Sequence, residues 1–262
     1  MKIGFIGCGN MASALISGIL NAGVCKSDAI YISDADREKT FQFSKQGVHV
    51  CETNAEVAEN SDAVILAVKP NVYETVLNHL AGCRKLIISI APGISIKYMQ
   101  GLLGAEAKII RTMPNTPCMV GEGMTALAAS EGVGEADLRL ARSIFEAAGK
   151  VEQFPESMMD AVVALNGSSP AYFYMFIDAM AKGAAKEGFS YETAVKMAAQ
   201  TALGAAKMVL LGKDTPEILI QKVCSPGGTT IEAVEYFREN GLYGLVEQAM
   251  DKCTDKAKKL SK

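Results

Sequence analysis

The feature that most constrains the fold is a change of texture along the chain. Up to about residue 156, short β-rich runs alternate with helical stretches. The runs "KIGFIG" (2–7), "AIYISD" (29–34), "DAVILAV" (62–68), "KLIISI" (85–90) and "KIIRTM" (108–113) read as buried strands, and 10–22, 37–46 and 71–80 read as helices. Such alternation implies βαβ units, a parallel sheet and right-handed crossovers. A further strand, "MTALAAS" (124–130), and a helix near 135–148 complete this half. From Met158 onward no strand is expected. Ser169 and Pro170 open a helical pattern that runs to Gly188, Ser190 caps one that stops at Gly212, and Asp214 with Pro216 opens another. Thr229 and Glu232 have capping-box spacing, and a last helix covers 242–260.

The first strand runs into "GCGNMASA", which supplies Gly7, Gly9 and Ala12 in G-x-G-x-x-A spacing. That spacing is weak alone, but here it follows a strand and opens a helix, the context dinucleotide binding requires. Gly7 permits the tight turn, Gly9 lets backbone approach a pyrophosphate, and Ala12 lets helix and strand pack closely. Asp34 ends the second strand, 22 residues after Ala12, close to the position of an acid that holds a ribose 2′-hydroxyl. That favours NAD. Ser33, Arg37 and Lys39 lie nearby and suit a 2′-phosphate, which favours NADP. The fold expected is α/β: an N-terminal Rossmann-like, doubly wound, mostly parallel sheet (1–157), then an all-α domain (158–262). In that fold "AVKPN" (67–71), "IAPG" (90–93) and "TMPNTP" (112–117) fall at the ligand-bearing edge of the sheet. Lys69 there is either a cofactor contact or an exposed loop residue.

Composition narrows the partners. Charged residues make up 21% of the chain and the net charge is −3, which gives no reason to expect nucleic acid or an anionic membrane. Unbroken apolar runs such as "AYFYMFI" are far shorter than a membrane-spanning helix, so no span is expected. Seven scattered cysteines without a C-x-x-C pair read as reduced cytoplasmic thiols, with neither a disulfide framework nor a metal site. The alanine- and methionine-rich helices, with the stripe Tyr172, Met175, Phe176, Ala179 and Met180, predict pairing between subunits.

What chemistry remains? Hydride delivery from a nicotinamide asks the protein to orient the acceptor and stabilise charge. The helical half offers two loops for this, "ALNGSSPAY" (164–172) and "CSPGGTTIEA" (224–233). Neither carries a charged residue before Glu232. They present the hydroxyls of Ser225, Thr229 and Thr230 and small, donor-rich backbone. Such a site suits a substrate that brings its own carboxylate and its own electrophile; a protonated imine needs only hydride at carbon.

Together "FIGCGNMASAL", "LAVKP", "RTMPNTP", "ALNGSSPAY" and "VCSPGGTTIEAV" resemble the Δ1-pyrroline-5-carboxylate reductases over nearly the whole chain. The resemblance implies reduction of pyrroline-5-carboxylate to proline and a C-terminal dimerisation domain, with rings of dimers common. It implies NADPH as cofactor, with NADH as the alternative because Asp34 stands where an uncharged residue is often found. Ile6, Gly7, Cys8, Gly9, Asn10 and Met11, then Ser33 and Asp34, Asn54, Ala67, Val68, Lys69 and Pro70, and Ile90, Ala91 and Pro92 would contact the dinucleotide. Gly228, Thr229 and Thr230 would bind the substrate carboxylate, with Thr230 beside the ring nitrogen as proton donor. Glu156 falls where the family has a substrate-side acid; the alternative is an exposed linker charge. Two rivals remain. The first is a hydroxyacid dehydrogenase or related imine reductase with a similar two-domain plan; the former would show a catalytic lysine in a glycine-rich helix, for which Lys182 is the only loose candidate, in a motif that does not fit. A dinucleotide-binding sensor would turn nothing over.

Overall fold

The computed structural model describes residues 1–262. Packing divides the chain into two compact units, Met1–Ser168 with Cys253–Lys262, and Ser169–Lys252. A single cut at 157/158 follows the last strand; packing keeps 158–168 and the final ten residues with the sheet.

The first unit alternates β1 (Ile3–Ile6), α1 (Asn10–Asn21), β2 (Ile30–Ser33), α2 (Arg37–Ser44), β3 (His49–Val50), α3 (Asn54–Asn60), β4 (Ala63–Leu66), α4 (Tyr73–His79), β5 (Leu86–Ser89), α5 (Ile96–Leu103) and β6 (Ile109–Met113). Then come β7 (Gly123–Ala129), α6 (Glu135–Glu146), β8 (Gly149–Gln153) and the short α7 (Met159–Val162). One sheet of order β3-β2-β1-β4-β5-β6-β7-β8 results, antiparallel only where β6 meets β7. The strand order reverses between β1 and β4, where a doubly wound sheet opens its ligand crevice.

Why the central strands are continuously apolar follows from this layering. Ile3, Phe5, Ile65 and Ile88 face α1 and α6, meeting Leu15, Ile16, Ile19, Ile144 and Phe145. Their alternates Ile6, Val64, Leu66 and Ile87 face α3, α4 and α5, meeting Val57, Leu77 and Met99. Both faces are buried, so both registers of the period-two pattern must be hydrophobic.

One polar cluster interrupts this core. Arg111 on β6 is 4% exposed; its guanidinium lies 2.7 Å from Asp160 and 3.5 Å from Glu156. Ser261 also donates to Asp160, at 2.8 Å. Burial alone would raise the Asp160 carboxyl; hydrogen bonds from Arg111 and Ser261 and the charges of Arg111 and Lys258 outweigh it and hold the group below the ordinary carboxylate range. A carboxyl lowered by folding contributes stability above its unfolded value of about 3.9, and loses that contribution as pH falls through the folded value. Asp160→Asn is therefore expected to cost on the order of 2–4 kcal/mol near neutrality, since it strips one partner from a buried cation. Thermal melts of both proteins across pH check this: the gap narrows as the solution is acidified.

The second unit is helical. It comprises α8 (Ser169–Lys186), α9 (Tyr191–Leu211), α10 (Pro216–Val223), α11 (Thr229–Glu239) and the larger part of α12 (Leu242–Leu260). Ser190 caps α9 as its position predicts, its hydroxyl accepting from Thr193 N–H at 3.2 Å. Two expected caps move by one residue. Thr215 caps α10 in place of Asp214, and Gly228 stands at the cap of α11, so Thr229 is already helical and makes no capping box. The expectation of no membrane-length segment also needs correction. Within the 21-residue α9, an 18-residue stretch reaches a mean hydropathy of 1.2, long and apolar enough by length and composition to cross a bilayer, with only 11% of that stretch buried. Unbroken apolar runs do not reveal it because Lys196, Gln200, Thr201 and Lys207 interrupt the sequence, while the alanines, leucines and valines between them keep the average apolar. Large apolar side chains stay exposed throughout this unit, among them Met175 at 71% and Leu211 at 84%.

Candidate active site

At the sheet's switch point, β1 ends in Ile6 and the chain turns through Gly7, whose φ of +97° lies in the region glycine favours. A Cβ on Gly7 would lie 2.6 Å from the Ala67 carbonyl oxygen, so the turn is also too close to the end of β4 for a side chain. Gly9 differs: a Cβ there would meet nothing within 4 Å. It stands at the cap of α1, which no side chain caps, and Asn10 and Met11 form the first turn. Open space against an uncapped helix start fits a bound pyrophosphate. Ala12 is buried beneath the turn, as close helix–strand packing requires.

A groove of about 690 Å³ runs over these strand ends. It brings together Ile6, Gly7, Gly9, Ser33, Asp34, Asn54, Ala67, Val68 and Lys69 from four separate connections. Cys8, Asn10, Met11, Pro70, Ile90, Ala91 and Pro92 do not line it. Pro70 starts the short turn 70–72 that leads into α4. Ile90, Ala91 and Pro92 follow β5, with Ala91 N–H held by Ser89 Oγ at 3.4 Å. Cys8 is buried, and burial, then the charge of Asp34, pushes its thiol up to about 12; it is a packing group. Residues the sequence did not single out also line the groove, notably Glu52, Thr53, Thr75 and His79. Their signal is positional only: they follow β3 or fall on the exposed side of α4.

Asp34 has a specific local task. Its two oxygens accept from Cys8 N–H at 2.6 Å and from Asp36 N–H at 2.8 Å, tying the end of β2 to the glycine turn. A carboxylate used in this way organises the turn for either dinucleotide. Asp34→Ala is expected to weaken NADPH and NADH binding alike, by about ten-fold, the scale of a lost hydrogen bond to a charged group. Fluorescence titration with both cofactors checks it; a loss confined to NADH would assign the acid to the ribose hydroxyl.

Two motifs that look unrelated in sequence meet in the first unit. Asn115 of "TMPNTP" donates to Asn166 Oδ1 at 3.0 Å, and Asn166 of "ALNGSSPAY" donates to the carbonyls of Met113 at 2.7 Å and Met124 at 2.9 Å. Asn166 occupies a π-helical turn, Val163–Gly167, an irregularity stable here because its side chain is fully used. These residues hold the segment leading into α8. Glu156 is similarly engaged: it accepts from Ile96 N–H at 2.6 Å at the start of α5 and faces Arg111.

In the second unit, Gly227 (φ +68°) bends the chain and Gly228 N–H closes on the Ser225 carbonyl at 2.9 Å. α11 then starts on Gly228 with no side-chain cap. The first N–H groups of an 11-residue helix, from Thr229 and Thr230 onward, have no intrahelical partner, and two hydroxyls stand beside them. Free N–H groups at a helix start are of the kind that can hold an anion. Lys182, the rival's candidate, is an exposed residue bonded to Asp178 at 2.6 Å, an interaction that raises its pKa further; it offers no free base.

The doubly wound sheet, its glycine turn and the groove above it define a dinucleotide-binding protein of the Rossmann class. Residues 156–260 match the family model for pyrroline-5-carboxylate reductase dimerisation, and residues 2–93 match that for NADP oxidoreductase, coenzyme F420-dependent. The chain is 41% identical over 265 residues to the pyrroline-5-carboxylate reductase of Escherichia coli (strain K12), covering 100% of this chain and 98% of the relative. Among solved structures, a pyrroline-5-carboxylate reductase from Coxiella burnetii superposes with a TM-score of 0.95 at 36% identity, covering 100% of this chain and 98% of the other. The Plasmodium falciparum pyrroline carboxylate reductase, solved with NADP bound, gives 0.90 at 31% identity over the same shares. This chain belongs to the pyrroline-5-carboxylate reductase family.

Proposed function

We propose that this chain reduces 1-pyrroline-5-carboxylate to proline with NADPH, the last step of proline synthesis. The observation that carries the reading within the structure is the start of α11, where Gly228 leaves the first turn without a side-chain cap. Family membership at 41% identity across the whole chain supports the reaction, and the NADP-bound relative supports the cofactor.

The cofactor, when bound, supplies a hydride to the imine carbon. The chain's residues do the rest. The glycine turn and the start of α1 hold the pyrophosphate. Thr229 and Thr230 hold the substrate carboxylate through backbone N–H groups, while Gly228, whose own N–H closes on the Ser225 carbonyl, gives the carboxylate a close approach free of any side chain. The Thr230 hydroxyl lies beside the ring nitrogen and accepts from the N–H of the protonated imine; hydride addition at carbon leaves a neutral amine, whose new lone pair then takes a proton at that hydroxyl to give the ammonium of proline. No side chain has to act as a strong acid, because the protonated imine is already electrophilic. Glu156 acts on the substrate side through what it holds, the start of α5 and Arg111. Incubation with substrate and NADPH should yield proline in equal amount to the NADPH consumed; NADPH binding without proline would favour the sensor reading.

The exposed apolar faces of α8 and α9 are proposed to bury against a second copy in a dimer, with rings of dimers as the larger assembly. Dimerisation, with α9 covered by protein, also accounts for its hydropathy better than a membrane does. Light scattering should show a dimer or a multiple of it, and a monomer would contradict this. The cytoplasm is the proposed location, where seven unpaired thiols stay reduced.

A further inference from the structure

The groove's far end holds a hydrogen-bonded run that the reaction does not account for. The Ser33 hydroxyl donates to Asn54 Oδ1 at 2.9 Å, and Asn54 Nδ2 lies 3.3 Å from His79 Nδ1. With the Ser33 hydroxyl donating to Asn54 Oδ1, the amide N–H₂ is turned to the ring, an arrangement that pairs with the tautomer in which Nδ1 accepts. The ring's proton is then on Nε2, which has no hydrogen-bond partner in the chain. Ser33, Asn54 and His79 all line the groove, at the end of β2, the start of α3 and the end of α4.

In a doubly wound sheet the adenosine ribose lies at the end of the second strand. The acids there are already used. Asp34 accepts from two backbone N–H groups, and Glu52 pairs with Arg37 at 2.5 Å. Lys39 supplies positive charge, but it is an exposed, flexible ammonium 3.5 Å from Asp36. His79 is different, since Asn54 and Ser33 fix which ring nitrogen is the donor.

We propose that His79 is a cofactor-binding residue whose Nε2–H selects the 2′-phosphorylated dinucleotide. A phosphate oxygen accepts a charge-assisted hydrogen bond, stronger than the one a 2′-hydroxyl could accept from the same donor. Asn54 then positions the selector, and Asp34 takes no part in the choice. This inference rests on the reading of the groove as a dinucleotide site.

Dissociation constants for NADPH and NADH, measured by fluorescence titration of the full chain, test it. His79→Ala should weaken NADPH about ten-fold and NADH less than about two-fold. His79→Gln, which keeps an N–H donor, should recover part of the NADPH affinity. An equal loss for both cofactors, no loss for either, or no recovery with glutamine would each overturn the role of His79. A wild-type chain that binds neither cofactor would instead overturn the dinucleotide reading beneath it.

Discussion

Gly7→Val is expected to abolish measurable NADPH binding and to lower the yield of folded protein. Two independent costs coincide. The residue has φ +97°, a conformation that costs an L-residue about 1–2 kcal/mol and a β-branched one more. The new Cβ would also lie 2.6 Å from the Ala67 carbonyl oxygen, which belongs to backbone and cannot rotate away. Either the turn moves, taking the start of α1 with it, or the end of β4 moves, taking Ala67 and Val68 with it. One side of the groove is lost either way. Fluorescence titration with NADPH reads the binding, and circular dichroism shows how much of the fold survives. Gly9→Ala is the matched control. Its Cβ enters open space, so the protein should fold normally while binding is still weakened by occupation of the pyrophosphate's place.

Thr230→Ala is expected to lower kcat/KM by roughly ten- to several-hundred-fold, the range for losing one or two hydrogen bonds to a charged group. The helix should survive, since Gly228 and not Thr230 stands at its cap. Steady-state kinetics with thermal melts separates the two effects. An unchanged kcat/KM would remove Thr230 from the chemistry. Thr230→Ser, which keeps the hydroxyl, should restore most of the rate.

The layered fold was legible because its causes are local. Strands flanked by helices on both faces must be apolar in both registers wherever no partner satisfies a polar group, and runs such as "AVIL" suit that place. β8 escaped because it is an edge strand with four of its five residues at least partly exposed, so "GKVEQ" shows little apolar pattern. β3 has only two residues, too few for any periodicity. Caps slipped by one residue at Asp214 and Thr229 because several small polar residues compete at each start, and backbone conformation decides which one caps.

The groove residues contributed by the glycine turn and the end of β4 could be located because each follows a strand directly; Asn54 came only with the family resemblance, because the two-residue β3 before it leaves no pattern. Asp34 was visible, but not what its oxygens hold. Partnerships across long separations were out of reach: Asn115 and Asn166 are 51 residues apart, and each looks like an ordinary loop asparagine until the fold joins them. Likewise nothing near His79 marks it as a groove residue, because its partner Asn54 belongs to another helix.

The most direct test compares two acceptors in NADPH oxidation: 1-pyrroline-5-carboxylate and 1-pyrroline, the same ring without its carboxylate. The account predicts rapid oxidation with the first and a kcat/KM lower by more than about a hundred-fold with the second, since several charge-assisted hydrogen bonds at the start of α11 go unmade. Equal rates with the two rings, or no NADPH oxidation with the carboxylate-bearing one, would contradict it.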